Sequence, residues 1–318
     1  MTPSPDATLA DVGEFALVRA LSDLFPQGDR VLVGPGDDAA LVSVPDGRVL
    51  VSTDVLVEGR HFRRDWAQAL DVGHRVAAAN LSDVNAMGGR ATALTVGLGA
   101  PADLPVEWAL DLARGIADEA GLVGASVVGG DLTGADQVLV SVTVLGEVAG
   151  EPVRRSGARP GDLVALAGRQ GWAAGGLAVL GRGFRSPRAL VDAYRRPEPP
   201  YAAGPLAAAA GATAMVDVSD GLLADVGHVA RASGVAVDLD AGCFDVAEPL
   251  RAVGAALGAD PLRFVLTGGD DHALVATFPD GTALPEGWVA VGRVHEGEGV
   301  TVDGADYDGP WGHAHFGS

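Results

Sequence analysis

Lysine is missing from this 318-residue chain, and all 22 of its basic residues are arginine. A P-loop needs a lysine on the phosphates, and Schiff-base catalysis needs one as nucleophile, so both chemistries are excluded. Cysteine is almost as scarce: Cys243 stands alone, leaving no internal disulfide and no thiolate-based zinc site. The seven histidines are dispersed, with no His-x-x-x-His pair inside a predicted helix, so a zinc reading is weak. No apolar run reaches the ~18 residues needed to span a bilayer. The acidic N-terminus lacks an apolar stretch behind it, so no secretory signal is expected and a cytoplasmic location is the default. Positive charge is also short. A net charge of −20 argues against nucleic acid or an anionic membrane as a direct partner. It leaves anionic ligands open, provided divalent cations bridge them to the protein.

What the chain has in quantity is apolar residue, 48% of the total with a mean hydropathy of +0.24, enough for a sizeable core. The length suggests roughly two domains. Glu14 to Phe25, Asp71 to Met87 and Val106 to Ala120 carry helical spacing. Val31–Val33, Ala39–Val44, Val49–Thr53, Thr92–Leu98 and Ser126–Val128 read as strands, and Val138, Val140, Val142 and Val144 alternate as a half-buried strand does. The turn-rich segment Ala149 to Asp162 is the expected boundary, giving domains 1–150 and 151–318. Beyond it, strands are expected at Leu163–Ala167, Val235–Leu239 and Ala273–Phe278, and helices at Trp172–Leu180, Leu222–Ser233 and Leu250–Leu257. Pro205 to Val216 reads as a packed helix, and Arg185 to Tyr201, with four prolines, as a surface connection. The fold class is α+β, in two mixed domains.

Aspartates recur beside glycine or hydroxyl residues at element ends. They fall in Gly36-Asp37-Asp38-Ala39, Ser52-Thr53-Asp54, Leu81-Ser82-Asp83, Gly129-Gly130-Asp131 and Asp217-Val218-Ser219-Asp220-Gly221. Singly, each has an ordinary explanation: a turn, a strand end, a solvent-facing helix position, or an N-cap for the helix near Leu222. Five such clusters together point to a shared site for Mg²⁺, a hard cation that binds through a few carboxylates and substrate phosphates. Gly129-Gly130 would let backbone N–H groups approach an anion. Phosphoryl transfer suits such a site, because it needs positioning and charge neutralisation more than covalent help. An acceptor that is itself a phosphate, with a second pKa of about 6, needs no strong general base.

These motifs, in this order, resemble the thiamine-monophosphate kinase family, within the superfamily of aminoimidazole-ribonucleotide synthetase, whose ATP-binding fold has no P-loop. The similarity runs from Gly13-Glu14-Phe15 to His315-Phe316 and includes Ser52 through Phe62, Asn80-Leu81-Ser82-Asp83 and Arg155-Ser156-Gly157-Ala158. It implies phosphorylation of thiamine monophosphate to thiamine diphosphate, with ATP as co-substrate and several Mg²⁺ ions. It implies metal ligation by Asp38, Ser52, Thr53, Asp54, Asp83, Asp131, Asp217 and Asp220. ATP contacts would fall to Gly130, Asp131, Arg155 and Ser219, and substrate contacts to His61, Asp270, Trp311 and His313. The resemblance also implies a homodimer paired through N-terminal sheets. Two departures stand out. Gly269-Asp270-Asp271-His272-Ala273-Leu274 replaces the family's usual Gly-Glu-Asp-Tyr-Glu-Leu, and His313 takes the place of an aromatic residue near the C-terminus. Two other readings remain: an aminoimidazole-ribonucleotide synthetase-like ligase, and a catalytically silent module that binds nucleotide or metal.

Overall fold

The computed structural model describes residues 7–35 and 40–313, the side chains of Glu14 and Phe15 excepted. Asp38 and the His315-Phe316 ending therefore lie outside the described residues. The chain divides into two compact units: Met1–Val84 with Arg90–Glu147, and Asn85–Gly89 with Val148–Ser318.

The first unit contains α1 (Leu9–Val12), α2 (Glu14–Ser22), β1 (Val31–Val33), β2 (Leu41–Val42), β3 (Leu50–Val57), α3 (Ala69–Ala86), β4 (Arg90–Ala100), α4 (Val106–Val123), β5 (Ser126–Gly134) and β6 (Leu139–Glu147). Strands β1 and β2 pair antiparallel, while the main sheet runs β3-β6-β4-β5. Valines 140, 142 and 144 alternate inward along β6 and are fully buried, as the sequence pattern demands. Helix α4 buries Ala109, Leu112, Ala113 and Ile116 and stops at Gly124, whose φ of 73° closes the helix in a left-handed turn. The opposite face of the sheet is open: Val51 and Val55 on β3 are 60% and 42% exposed, and Thr53 lies between them.

The second unit contains β7 (Leu163–Ala167), α5 (Trp172–Leu180), α6 (Arg188–Arg195), α7 (Ala203–Ala209), β8 (Ala214–Val218), α8 (Leu222–Ser233), β9 (Ala236–Leu239), a 3₁₀ turn (Ala241–Cys243), α9 (Glu248–Leu257), α10 (Leu262–Thr267), β10 (Ala273–Phe278), β11 (Trp288–His295), β12 (Gly299–Val302) and β13 (Ala305–Asp306). Its seven strands are ordered β13-β12-β9-β11-β7-β10-β8. Both faces of the sheet are covered. Val164, Val216, Val218 and Val275 pack with the apolar side of α8, whereas Ala165, Met215, Leu274 and Phe278 pack with Ala203 and Ala207 of α7. Every residue of β8 and β10 is buried, so neither strand shows the apolar–polar alternation of a half-exposed one.

That double burial also explains one correction. Pro205 to Val216 is not a single helix: α7 ends at Ala209, Gly211 takes a φ of 83°, and Ala214 begins the strand β8. Arg185 to Tyr201 is likewise more than a connection, because α6 buries Leu190, Val191, Ala193 and Tyr194 between its flanking prolines. Gly129-Gly130-Asp131 lies within the strand β5. Among the described residues no helix is long and apolar enough to cross a membrane.

Candidate active-site elements

In the first unit, strand β3 and helix α3 bring three candidate residues together. Ser52 and Asp54 share the buried face of β3, opposite Val144 and Val142 of β6. The Ser52 hydroxyl donates to Asp83 Oδ2 at 2.5 Å, and the Asp54 N–H donates to Asn80 Oδ1 at 3.2 Å. Asn80 is itself anchored to the Val76 carbonyl one helical turn back. Asp83 is therefore not a solvent-facing helix residue; it is half-buried, and its neighbour Ser82 is fully buried. Thr53 lies on the opposite, open face, where its hydroxyl bonds Thr143 at 2.8 Å. His61 closes the turn after β3, its Nδ1 accepting the Val57 N–H at 2.9 Å. If neutral, the ring then carries its proton on Nε2. Asp131 is exposed on β5, in register with Gly97 of β4. The preceding Gly130 is required by close backbone approach, since a Cβ there would collide with the Val96 carbonyl oxygen.

In the second unit the candidates gather around the loop between β8 and α8. The expectation that Ser219 or Asp220 caps α8 is not met, because Gly221 is the N-cap and makes no side-chain cap bond. Instead Asp225 reaches back from the first turn. Its Oδ2 accepts the N–H groups of Ser219, Asp220 and Gly221, each at 3.1 Å. The loop's carbonyls are also taken: Ser219 O by the Asp270 N–H at 3.0 Å, Asp220 O by the His313 N–H at 2.8 Å. Gly269 and Gly312 permit this close packing, since a Cβ at either would collide with the Ser219 or the Asp220 carbonyl oxygen. Asp270 and His272 both adopt left-handed backbone conformations, with φ of 65° and 53°. Such conformations in non-glycine residues cluster where a loop is held for function. His272, in the place of the family's tyrosine, contacts Asp217 through Nδ1···Oδ2 at 3.1 Å, with both side chains buried.

Trp311 and His313 occupy the segment laid over this loop. The Trp311 ring faces Gly227 of α8 and packs against the apolar core, while His313 is exposed. Arg155 and Asp220 both act electrostatically on His228. Burial pushes the His228 imidazole down first, Arg155 and Arg231 add to that, and Asp220 opposes it. Arg155 and Asp220 thus share one neighbourhood.

The electrostatics fit a cation. Burial raises the Asp225 carboxyl to about 7, and the charges of Asp217 and Asp220 contribute to that rise, against the opposing N–H bonds. Carboxylates such as Asp217 and Asp220 are the oxygen donors a hard cation takes. Among the described residues no three His, Cys, Asp or Glu side chains form a ready cage.

Sequence reasoning missed Asp225 and Asp271. The Asp271 carboxylate is buried beneath the 269–272 loop, accepting the Ala173 N–H at 2.9 Å near the start of α5. A signal existed for Asp225, a lone charge within the apolar run Leu222-Leu223-Ala224-Asp225-Val226.

The architecture defines a class. Residues 36–148 match the family model for the AIR synthase related protein, N-terminal domain, and residues 159–303 match that for its C-terminal domain. The relatives narrow it further. A Mycobacterium tuberculosis protein named thiamine-monophosphate kinase is 49% identical over 99% of this chain and 95% of its own length. The crystal structure of thiamine-monophosphate kinase from Stenotrophomonas maltophilia superposes with a TM-score of 0.82 at 33% identity, covering 92% of this chain and 98% of that one. A structure described as AaThiL complexed with AMPPCP and TMP gives 0.79 at 32% identity, covering 98% and 100%. The chain belongs to the thiamine-monophosphate kinase family.

Proposed function

We propose that this chain phosphorylates thiamine monophosphate to thiamine diphosphate, using ATP and Mg²⁺. The observation that carries the reading is the loop after β8. Ser219 and Asp220 stand on a backbone tied from three sides, and neither side chain is used as the cap of α8. A relative in complex with AMPPCP and TMP supports the choice of substrates.

Asp38, Ser52, Asp54, Asp83, Asp131, Asp217 and Asp220 would hold the metal ions; the Thr53 hydroxyl, bonded to Thr143 on the opposite face of β3, does not join Ser52 and Asp54 in that role. Bound there, Mg²⁺ supplies neutralisation of the charge shared by two polyanions, the main barrier when the acceptor is a phosphate. Gly130, Asp131, Arg155 and Ser219 bind ATP; the arginine guanidinium is suited to forked contact with phosphate oxygens and substitutes for the absent lysine. His61 offers an N–H to the thiamine phosphate, and Asp270, Trp311 and His313 line the remainder. The acceptor phosphate is largely ionised near neutral pH, so no residue is assigned as general base. The domains at 1–150 and 151–318 divide the work: ATP, metal and dimer pairing in the first, further ATP and substrate contacts in the second. The open, partly apolar face of the β3-β6-β4-β5 sheet, with Val51 and Val55 exposed, supports a homodimer. The enzyme works in the cytoplasm, with neither nucleic acid nor membrane as partner.

The test is an assay for thiamine diphosphate formed from thiamine monophosphate and ATP, with and without Mg²⁺. Product only in the complete mixture is expected. ATP-dependent product without any divalent cation would refute the metal-assisted reading.

A further inference from the structure

We propose that Asp225 is a positioning residue: by gathering three consecutive backbone N–H groups on one carboxylate oxygen, it sets the orientation in which Ser219 and Asp220 meet the metal–nucleotide complex. This role rests on the kinase reading above and deepens it.

The geometry carries the argument. The N–H groups of Ser219, Asp220 and Gly221 converge on Asp225 Oδ2, each at 3.1 Å. Of these groups only the Gly221 N–H belongs to the helix terminus; those of Ser219 and Asp220 belong to the loop before it, and Asp225 supplies one acceptor for all three. Neither Ser219 nor Asp220 caps α8, whose N-cap is Gly221, and the acceptor for the loop comes from a residue one turn inside the helix. Asp225 is 2% exposed, so its carboxylate is held in place beneath the loop. The arrangement does achieve one thing: it satisfies the loop's donors while leaving the Ser219 and Asp220 side chains uncommitted to capping. The two carbonyl contacts, from Asp270 N–H and His313 N–H, fix the loop's other edge. Asp225 therefore acts through the backbone, as an acceptor in a fixed place.

Acceptor geometry and charge can be separated by substitution. Asp225→Asn keeps an oxygen where Oδ2 stands and removes the charge; Asp225→Glu keeps the charge and displaces the oxygen by a methylene. Asp225→Ala removes both. Binding of Mn²⁺ with AMPPCP, read by electron paramagnetic resonance in the absence of thiamine phosphate, reports the effect independently of turnover. Steady-state kinetics and thermal melts complete the set. Wild type and Asp225→Asn are expected to agree within about threefold, whereas Asp225→Glu and Asp225→Ala weaken Mn²⁺–AMPPCP binding by about 10- to 100-fold, on the scale of outer-shell metal partners. Their kcat should fall on the order of 100-fold, as for misplaced reacting groups. An Asp225→Asn variant as damaged as Asp225→Ala, or an Asp225→Glu variant like wild type, would overturn the proposal. So would Glu and Ala variants with lowered melting temperatures but unchanged binding and kcat. A wild type that neither binds Mn²⁺–AMPPCP nor forms thiamine diphosphate would overturn the kinase reading, and this role with it.

Discussion

Replacing Asp271 by asparagine should make the protein's stability less sensitive to pH. The Asp271 carboxyl is 4% exposed, and one of its oxygens, Oδ2, has no hydrogen-bond partner. Burial raises it from 3.8 to about 7, with Asp270 adding to the rise, against the N–H groups of Ala173 and Gly171 and the charge of Arg169. The folded state thus holds a proton that the unfolded chain releases near pH 4. Below that value both states are protonated and the group contributes no pH dependence. Between about pH 4 and pH 7 the unfolded state ionises alone, so stability falls as pH rises, by about 1.4 kcal/mol per unit. Above about 7 the penalty is complete and no longer grows. Between pH 5 and pH 8 the loss is roughly 3 kcal/mol for this one group. The substituted side chain cannot ionise but retains an oxygen for the Ala173 N–H. The melting temperature of Asp271→Asn relative to wild type should therefore rise between pH 5 and pH 8, on the order of 5 to 10 °C. Paired calorimetric melts across that range would measure it. A difference between variant and wild type that is flat with pH would show that Asp271 is already ionised in the folded protein.

Three further outcomes follow from the same geometry. Asp54→Asn and Asp83→Asn should fold normally but lose Mg²⁺-dependent turnover, with several kcal/mol of transition-state stabilisation removed; near-normal kcat in either would return that aspartate to a structural role. His313→Ala or Trp311→Ala should raise KM for thiamine monophosphate while leaving KM for ATP nearly unchanged, and Trp311→Ala should also lower the melting temperature because its ring packs on α8. Unchanged thiamine-phosphate KM in both variants would remove the tail from the substrate site. Light scattering should report a homodimer, and the double variant Val51→Glu, Val55→Glu should report a monomer; a monomeric wild type with full activity at micromolar concentration would refute the sheet pairing.

Much of this architecture was legible where a single face is buried. The alternation at Val138 to Val144 specified β6, and helical spacing specified α4, because one side of each meets the core and the other does not. The pattern failed where both faces are covered. Ala214 to Val218 shows no alternation, so the strand was hidden in an alanine-rich run that resembles helix. Helix α6 was obscured by the prolines around it, although Pro187 immediately before its first residue is an ordinary N-terminal signal. The aspartate motifs were legible because a few short carboxylates beside glycine and hydroxyl residues stand out in an apolar chain. Asp225 and Asp271 stayed hidden because their partners are backbone N–H groups, whose positions depend on how the loops fold. The contact of His272 with Asp217 joins residues 55 positions apart, and only the pairing of β10 with β8 reveals it.

In the proposed mechanism the acceptor must be a phosphate, because bridging metal ions would neutralise two anions. Initial rates with MgATP, comparing thiamine monophosphate and free thiamine at equal concentration, test it most directly when products are identified by mass spectrometry. Thiamine monophosphate should yield thiamine diphosphate, free thiamine should yield no phosphorylated product, and chelation of Mg²⁺ should abolish the reaction. Equal or faster phosphorylation of free thiamine would contradict the account.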